Sequence, residues 1–375
     1  MCQSLAESAN NPPIAGRRSR RVGAYASCPF SALLIGFFST ADAAVCNWQG
    51  GDDIWSTPAN WSCAASPGAA DDAVINVSQN VALDISPSVA NFSLAHAGAT
   101  LSGAGTLTST NDFDMQAGTV NAVLGGSVGL NKTTAGTVTL SGTNTYTGNT
   151  QVSAGTLALG NSDVLANTSS LIVNGGSFHL GSHNDAVAGV QLLSGSITGT
   201  GTLTSNSTFD MQAGTVNAVL GGSVGLNKTT AGTVTLSGTN TYTGNTQVSA
   251  GTLALGAGDV LANTSSLIVN GGSFDLGSHN DAVAGVQLLS GSITGTGTLT
   301  SNSTFDMQAG TVSAVLGGSV GLNKTTAGTV TLSGTNTYTG NTQVSAGTLA
   351  LGASDVLANT SSLIVNGGSF DLGAN

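Results

Sequence analysis

The sequence predicts an all-β chain wound as a parallel β-helix, and three observations carry that prediction. The segment AGTVTLSGTNTYTGNTQVSAGTLAL at 135–159 returns unchanged at 231–255 and 327–351, offset by 96 residues each time. Inside each 96-residue unit a shorter period recurs: a small residue, Gly, Ser or Thr, then an apolar residue, at 117, 135, 154, 175, 194 and 213. Composition supplies the third. Fifty-four glycines, 40% hydrophobic and only 7% charged residues leave too little Glu, Lys and Arg for a helical solenoid. The same apolar content is too high for a disordered chain. Near-identical tandem units that bury their apolar faces on one another form a stacked array.

Taken in order, the chain opens on a leader. RRSRR at 17–21 precedes the apolar run FSALLIGFF at 30–38 and then STADAA. A basic region, a short apolar stretch and small residues at a cleavage point describe a secretory signal peptide over 1–43. Nine apolar residues are too few to span a bilayer, which takes about 20. Cleavage is expected between Ala43 and Ala44, or one residue later. All four arginines lie in the leader, so beyond it the only basic residues are Lys132, Lys228 and Lys324, against sixteen aspartates. Such a chain has no basic groove for phosphates, which excludes nucleic acid as a partner.

Residues 44–96 differ from the rest. Cys46 and Cys63 form an even pair in an exported chain and read as a disulfide. It would close a loop of about 16 residues, worth roughly 3 kcal/mol by chain entropy. No His or further Cys lies near enough to suggest a metal. Trp48, Trp55 and Trp61 are all here, in NWQGGDDIWSTPANWS. A terminal unit must hide an edge that interior units pair away, so the block reads as an aromatic, disulfide-tied cap. The alternative is a platform of indoles for stacking carbohydrate.

From 97 to 375 the chain is an array, with units at 101–196, 197–292 and a shortened 293–375. The inner steps of 18, 19, 21, 19 and 19 residues align Gly118, Gly136, Gly155, Gly176 and Gly195. Beside them fall Thr119, Thr137, Thr156, Ser177 and Ser196, then Val120, Val138, Leu157, Phe178 and Ile197. Period-2 alternation turns the aliphatic column inward and the hydroxyl column outward. A second short strand precedes each glycine, for example TQV at 150–152 and LIV at 171–173. Two strands with their turns in about 19 residues make one rung. About 15 rungs at about 4.8 Å each give a rod on the order of 70 Å long. TNTYTGNT, at 143–150, is expected to stand off the surface as a turn-rich bulge.

GLNKTTAGTVTLSGTNTYTGNTQVSAGTLALG at 129–160 resembles the autotransporter-associated β-strand repeat of bacterial type V secretion passengers. The resemblance rests on Lys132, Gly136, Tyr146 and Gly148, with Leu130, Leu140, Asn144, Val152, Gly155 and Leu159. The second copy carries it on Lys228, Gly232, Tyr242 and Gly244, the third on Lys324, Gly328, Tyr338 and Gly340. WSTPANWS at 55–62 resembles the segment that opens many such passengers. The resemblance implies a right-handed β-helix exported to the bacterial cell surface, outer membrane or extracellular space. It also implies that the repeats aid folding and export and are not themselves an active site. Such proteins end in a membrane barrel. This chain stops at Asn375 inside its third unit, so the translocator barrel is expected on a continuation or on another chain.

Because many β-helices cleave polysaccharides, catalytic residues need to be sought. A uronate lyase wants basic residues, and the chain beyond its leader has no Arg. A glycosidase wants paired carboxylates, and Asp112 and Asp114 are close, but later copies replace Asp112 by hydroxyl residues and leave Asp210 and Asp306 alone. His96, His179, His183 and His279 show no ligand spacing, and the serines have no paired base. GGSFDLGSHND at 271–281 lacks the tandem calcium pattern, and an ice-binding Thr lattice is broken from rung to rung. No cofactor or metal is expected. The expectation is a non-enzymatic, structural or adhesive passenger whose partners are host, neighbouring-cell or matrix glycans. The alternative is a carbohydrate-active β-helix whose catalytic part is missing.

Overall fold

The computed structural model describes residues 43–374; the leader at 1–42, and with it most of the expected signal peptide, lies outside them. The chain is all-β, a β-solenoid of about 16 turns whose strands stack in parallel. At about 4.8 Å per turn the described rod is roughly 75 Å long.

Each turn passes over three faces. The first carries strands such as Leu130–Lys132 and Thr150–Val152, and the second Thr137–Leu140 and Thr156–Leu159. Where the corner is gentle one strand runs through both, as in Ser170–His179 and Gly189–Thr198. The third face, not anticipated from the sequence, carries Asp185–Val187, Thr202–Ser205 and Val219–Gly221, and again Asp281–Val283, Thr298–Ser301 and Val315–Gly317. Its strands are short and hold few apolar residues, so alternation hardly marks them.

Alternation does set inside and outside. On the second face Val138 stacks on Leu157, Leu157 on Phe178 and Phe178 on Ile197, all buried. Each such side chain contributes about 1.5–3 kcal/mol of burial. The register differs from the sequence columns at one step per repeat: Gly118 pairs with Val138 and Val120 with Leu140, and likewise Gly214 with Val234. A slip of two residues leaves every side chain on its own face, so the core tolerates it and the sequence pattern hides it.

The 44–96 block is not set apart from the rod. Val45–Asn47 pairs in parallel with Asp72–Ile75, and that strand with Ser88–Gly103, so these residues form the first turns of the same stack. Their interior is aromatic. Trp61 lies edge-on to Trp48 and Trp55, with centroids 5.0 and 4.6 Å away, and all three indoles are buried. That burial removes the stacking platform as a reading of these residues. Trp48 and Trp61 also form an antiparallel bridge, and Cys46 is bonded to Cys63 with Cα atoms 5.2 Å apart.

Candidate functional site: an inward polar set and an outward grooved face

Of the repeat residues singled out in the sequence, the lysines and tyrosines lie inside the rod and the glycines lie half-buried. TNTYT does not stand off as a bulge. Thr143, Thr145 and Thr147 face out, while Asn144 and Tyr146 face in and are buried. The segment crosses the third face in extended form, with the Thr145 N–H donating to Leu124 O at 2.8 Å and the Asn144 N–H to Val164 O at 2.9 Å. Asn144 clamps both neighbouring turns: its Oδ1 accepts from the Leu124 N–H at 2.9 Å and its Nδ2 donates to Val164 O at 3.0 Å. The Tyr146 hydroxyl shares a hydrogen bond with Thr150 Oγ1 at 2.6 Å, and its ring tilts against Phe113 at 6.1 Å. Burial pushes the phenol well above its ordinary range. Tyr242 and Tyr338 repeat the arrangement.

A side chain at Gly148 would run into the backbone of Val128 and Gly129, so only glycine lets the chain turn from the third face to the first there. Gly244 and Gly340 are confined in the same way. Gly136, Gly232 and Gly328 sit where a Cβ would press on Ala117, Ala213 and Ala309, at 2.8, 2.7 and 2.7 Å.

Lys132, Lys228 and Lys324 are the largest surprise, because each is wholly buried. The Leu-Asn-Lys strand places Leu130 and Lys132 inward together, so the lysine stem occupies an aliphatic column beside Val152. Its ammonium reaches the corner between the first and second faces. There it donates to Thr134 O, to Ala154 O of the next turn at 3.2 Å, and to Thr134 Oγ1 at 3.4 Å. Burial lowers the lysine pKa, and Asp114 partly offsets this. One ammonium thus ties the carbonyls of two successive turns.

Asp185 and Asp281 were not noticed in the sequence, although the Asp-Ala-Val pattern alternates in the right phase to turn the carboxyl inward. Both are 2% exposed. Asp185 Oδ2 accepts from the Val164 and Leu165 amides at 2.9 and 3.0 Å, while Oδ1 is buried with no partner. Burial, helped by Asp163 at Asp185 and by Asp259 at Asp281, raises both carboxyls to about 6 despite the amide bonds. A carboxyl held this way is suited to carry a proton.

Outward, the first face presents a polar ladder. Asp114, Asn131, Gln151, Ile172, Gln191 and Asp210 stack in register, and Asp210, Asn227, Gln247, Ile268, Gln287 and Asp306 repeat it. Asp112 lies on the same face as Asp114 but is engaged by Asn131, whose Nδ2 donates to it at 2.8 Å. Among the histidines, His179 is exposed and bonds Thr198 Oγ1 at 2.9 Å. Among the described residues no three metal-ligating side chains gather.

Family comparison agrees with this layout. A family model for the passenger-associated-transport repeat matches residues 130–159, 226–255 and 322–351. Each match spans the inward Lys, Asn and Tyr and ends on the second-face strand. The chain is 37% identical over 252 residues to "Adhesin BmaC autotransporter" of Brucella suis biovar 1 (strain 1330), which covers 67% of this chain and 6% of that protein. The chain therefore corresponds to a small part of that much longer relative. No solved structure matches the chain significantly. Three such repeats are wound into one parallel stack, so this chain is a β-solenoid that carries passenger-associated-transport repeats and is similar to part of an autotransporter adhesin.

Proposed function

We propose that the chain is displayed at the bacterial surface as a non-catalytic adhesive rod, exported through its leader and a membrane barrel. The observation that carries this reading is the threefold passenger repeat inside an unbroken solenoid, together with likeness to an adhesin. Stability is distributed turn by turn, so the rod holds its shape over its whole length. Equivalent outward residues recur every 96 positions, which suits weak contacts made several at a time to glycans of a host, neighbouring cell or matrix. The Lys, Asn and Tyr of each repeat support folding during export by tying successive turns together. Fusing the chain to a translocator barrel in a non-adherent bacterium tests the proposal. Surface exposure with adherence above the barrel-only control is expected, and exposure without adherence overturns it. Robust depolymerisation of a glycan by the purified chain would overturn the non-catalytic part.

A further inference from the structure

Two grooves on the first face are copies of each other. The first, of about 320 Å³, has Gly189 as its floor and Ser170, Ile172, Gln191, Ser207 and Asp210 around it. The second, of about 270 Å³, repeats it on Gly285, Ser266, Ile268, Gln287, Ser303 and Asp306. Gly189 pairs with Ser170 in the column beside the polar ladder, and its missing side chain opens the hollow. A Cβ on Gly189 would lie 2.8 Å from Ser207 Oγ and 3.3 Å from Ser170 Oγ. One wall is held in place: Gln191 and Gln212 both donate to Asp210 Oδ2, at 3.1 and 3.0 Å. In the second groove Gln287 and Gln308 donate to Asp306 Oδ2 at 3.2 and 3.1 Å. Both bonds fall on one oxygen, which leaves Oδ1 to accept from a ligand.

We infer that these two grooves are paired binding sites for neutral saccharide units of one glycan chain, an inference that rests on the adhesive reading above. A fixed carboxylate, oriented amides and serine hydroxyls match the hydroxyls of a sugar, and the Ile172 side chain offers a small apolar surface for its C–H face. An acidic sugar is disfavoured, because Asp210 is the charged residue of the groove and the lysines are sealed inside the rod. Peptide strands are disfavoured too. The backbone groups of this face are used by the turns above and below, so it offers no edge for strand addition. The grooves sit five turns apart, about 24 Å at about 4.8 Å per turn. A polymer spanning that distance engages both, and the second contact is intramolecular.

The test is binding of the purified chain to neutral and uronate-containing polysaccharides and their short oligomers, with Asp210→Ala, Asp306→Ala and the double variant. Asn227→Ala, on the same ladder between the grooves, is the control, and circular dichroism verifies folding. Expected is a preference for a neutral polymer that falls tenfold or more when one groove is altered and disappears with both, while N227A binds as before. Short oligomers should lose half their sites with each single change. Undiminished binding by the folded double variant, or preference for the uronate polymer, overturns the inference. Adherence by displayed chain with no neutral glycan bound overturns the grooves alone and leaves the adhesive reading. Loss of adherence with glycan binding intact overturns the adhesive reading alone.

Discussion

The first turns and the repeated turns solve the same packing problem with opposite chemistry. Between Val45 and Leu83 the interior is filled by three indoles and a disulfide, and the carboxylates stay at the surface. Asp53, held by Asn60 Nδ2 at 2.8 Å, and Asp84, bonded by Ser56, are both lowered by those hydrogen bonds. From Leu130 onward each repeat instead brings a lysine, an asparagine and a tyrosine into the core, and its first two copies an aspartate as well. The aromatic end needs no polar register. A long run of near-identical turns does, because aliphatic columns alone would stack equally well after a slip of two residues. Buried groups that must meet particular carbonyls and amides of the next turn penalise such a slip.

All three tryptophans lie in the first turns, so indole fluorescence follows that region while far-UV circular dichroism follows the array. The largest effect expected is from Trp61→Ala, which removes the ring packed between Trp48 and Trp55. It should destabilise the first turns by about 3–5 kcal/mol and shift the fluorescence transition in urea far more than the circular dichroism transition. Equal shifts would mean that the rod unfolds as one unit.

The next contrast is one of pH. Asp185 and Asp281 bind a proton more tightly folded than unfolded, since burial raises them from 3.8 to about 6. Their contribution is full below pH 4, is lost as pH rises through about 6, and is absent at neutral pH. The difference is about 3 kcal/mol for each carboxyl by linkage. The circular dichroism transition should therefore move to higher urea between pH 7.5 and 5. Asp53 and Asp84 have the opposite sign, because their lowered values add stability that is lost as pH falls below the ordinary carboxylate range. Replacing both buried residues, Asp185→Asn with Asp281→Asn, should flatten the array's pH response and leave the fluorescence transition unchanged. A persisting response would place its origin elsewhere.

A smaller effect is expected at the corner lysines. Lys228→Met keeps the stem in the aliphatic column but leaves Thr230 O and Ala250 O without their shared donor. A loss of about 1–2 kcal/mol is predicted in the circular dichroism transition. A neutral result would show that packing of the stem, not the ammonium, explains the residue.

Much of the fold was legible because alternation survives copying: Val138, Leu157, Phe178 and Ile197 aligned in the sequence and stack in the rod. What escaped was polar. The inward place of Lys132 left no mark in the apolar pattern, and TNTYT looked like a turn because its residues favour turns. Its alternation, Thr out and Asn and Tyr in, has the period of a strand, but inward polar residues do not register as a core. The grooves escaped for another reason. They depend on outward side chains that adjoin across successive turns, Ser170 and Ile172 beside Gly189 and Gln191, and alternation marks the outside without showing which neighbours leave a hollow.

The central claim is that the rod is one uninterrupted stack into which the repeat's TNTYTG segment is folded as part of a turn. Hydrogen exchange by mass spectrometry on the native chain tests it most directly. Amides of 144–147, 240–243 and 336–339 should exchange as slowly as those of the neighbouring strands Thr150–Val152, Thr246–Val248 and Thr342–Val344. Exchange of those segments at the rate of an unprotected loop, while the neighbouring strands stay protected, would contradict it.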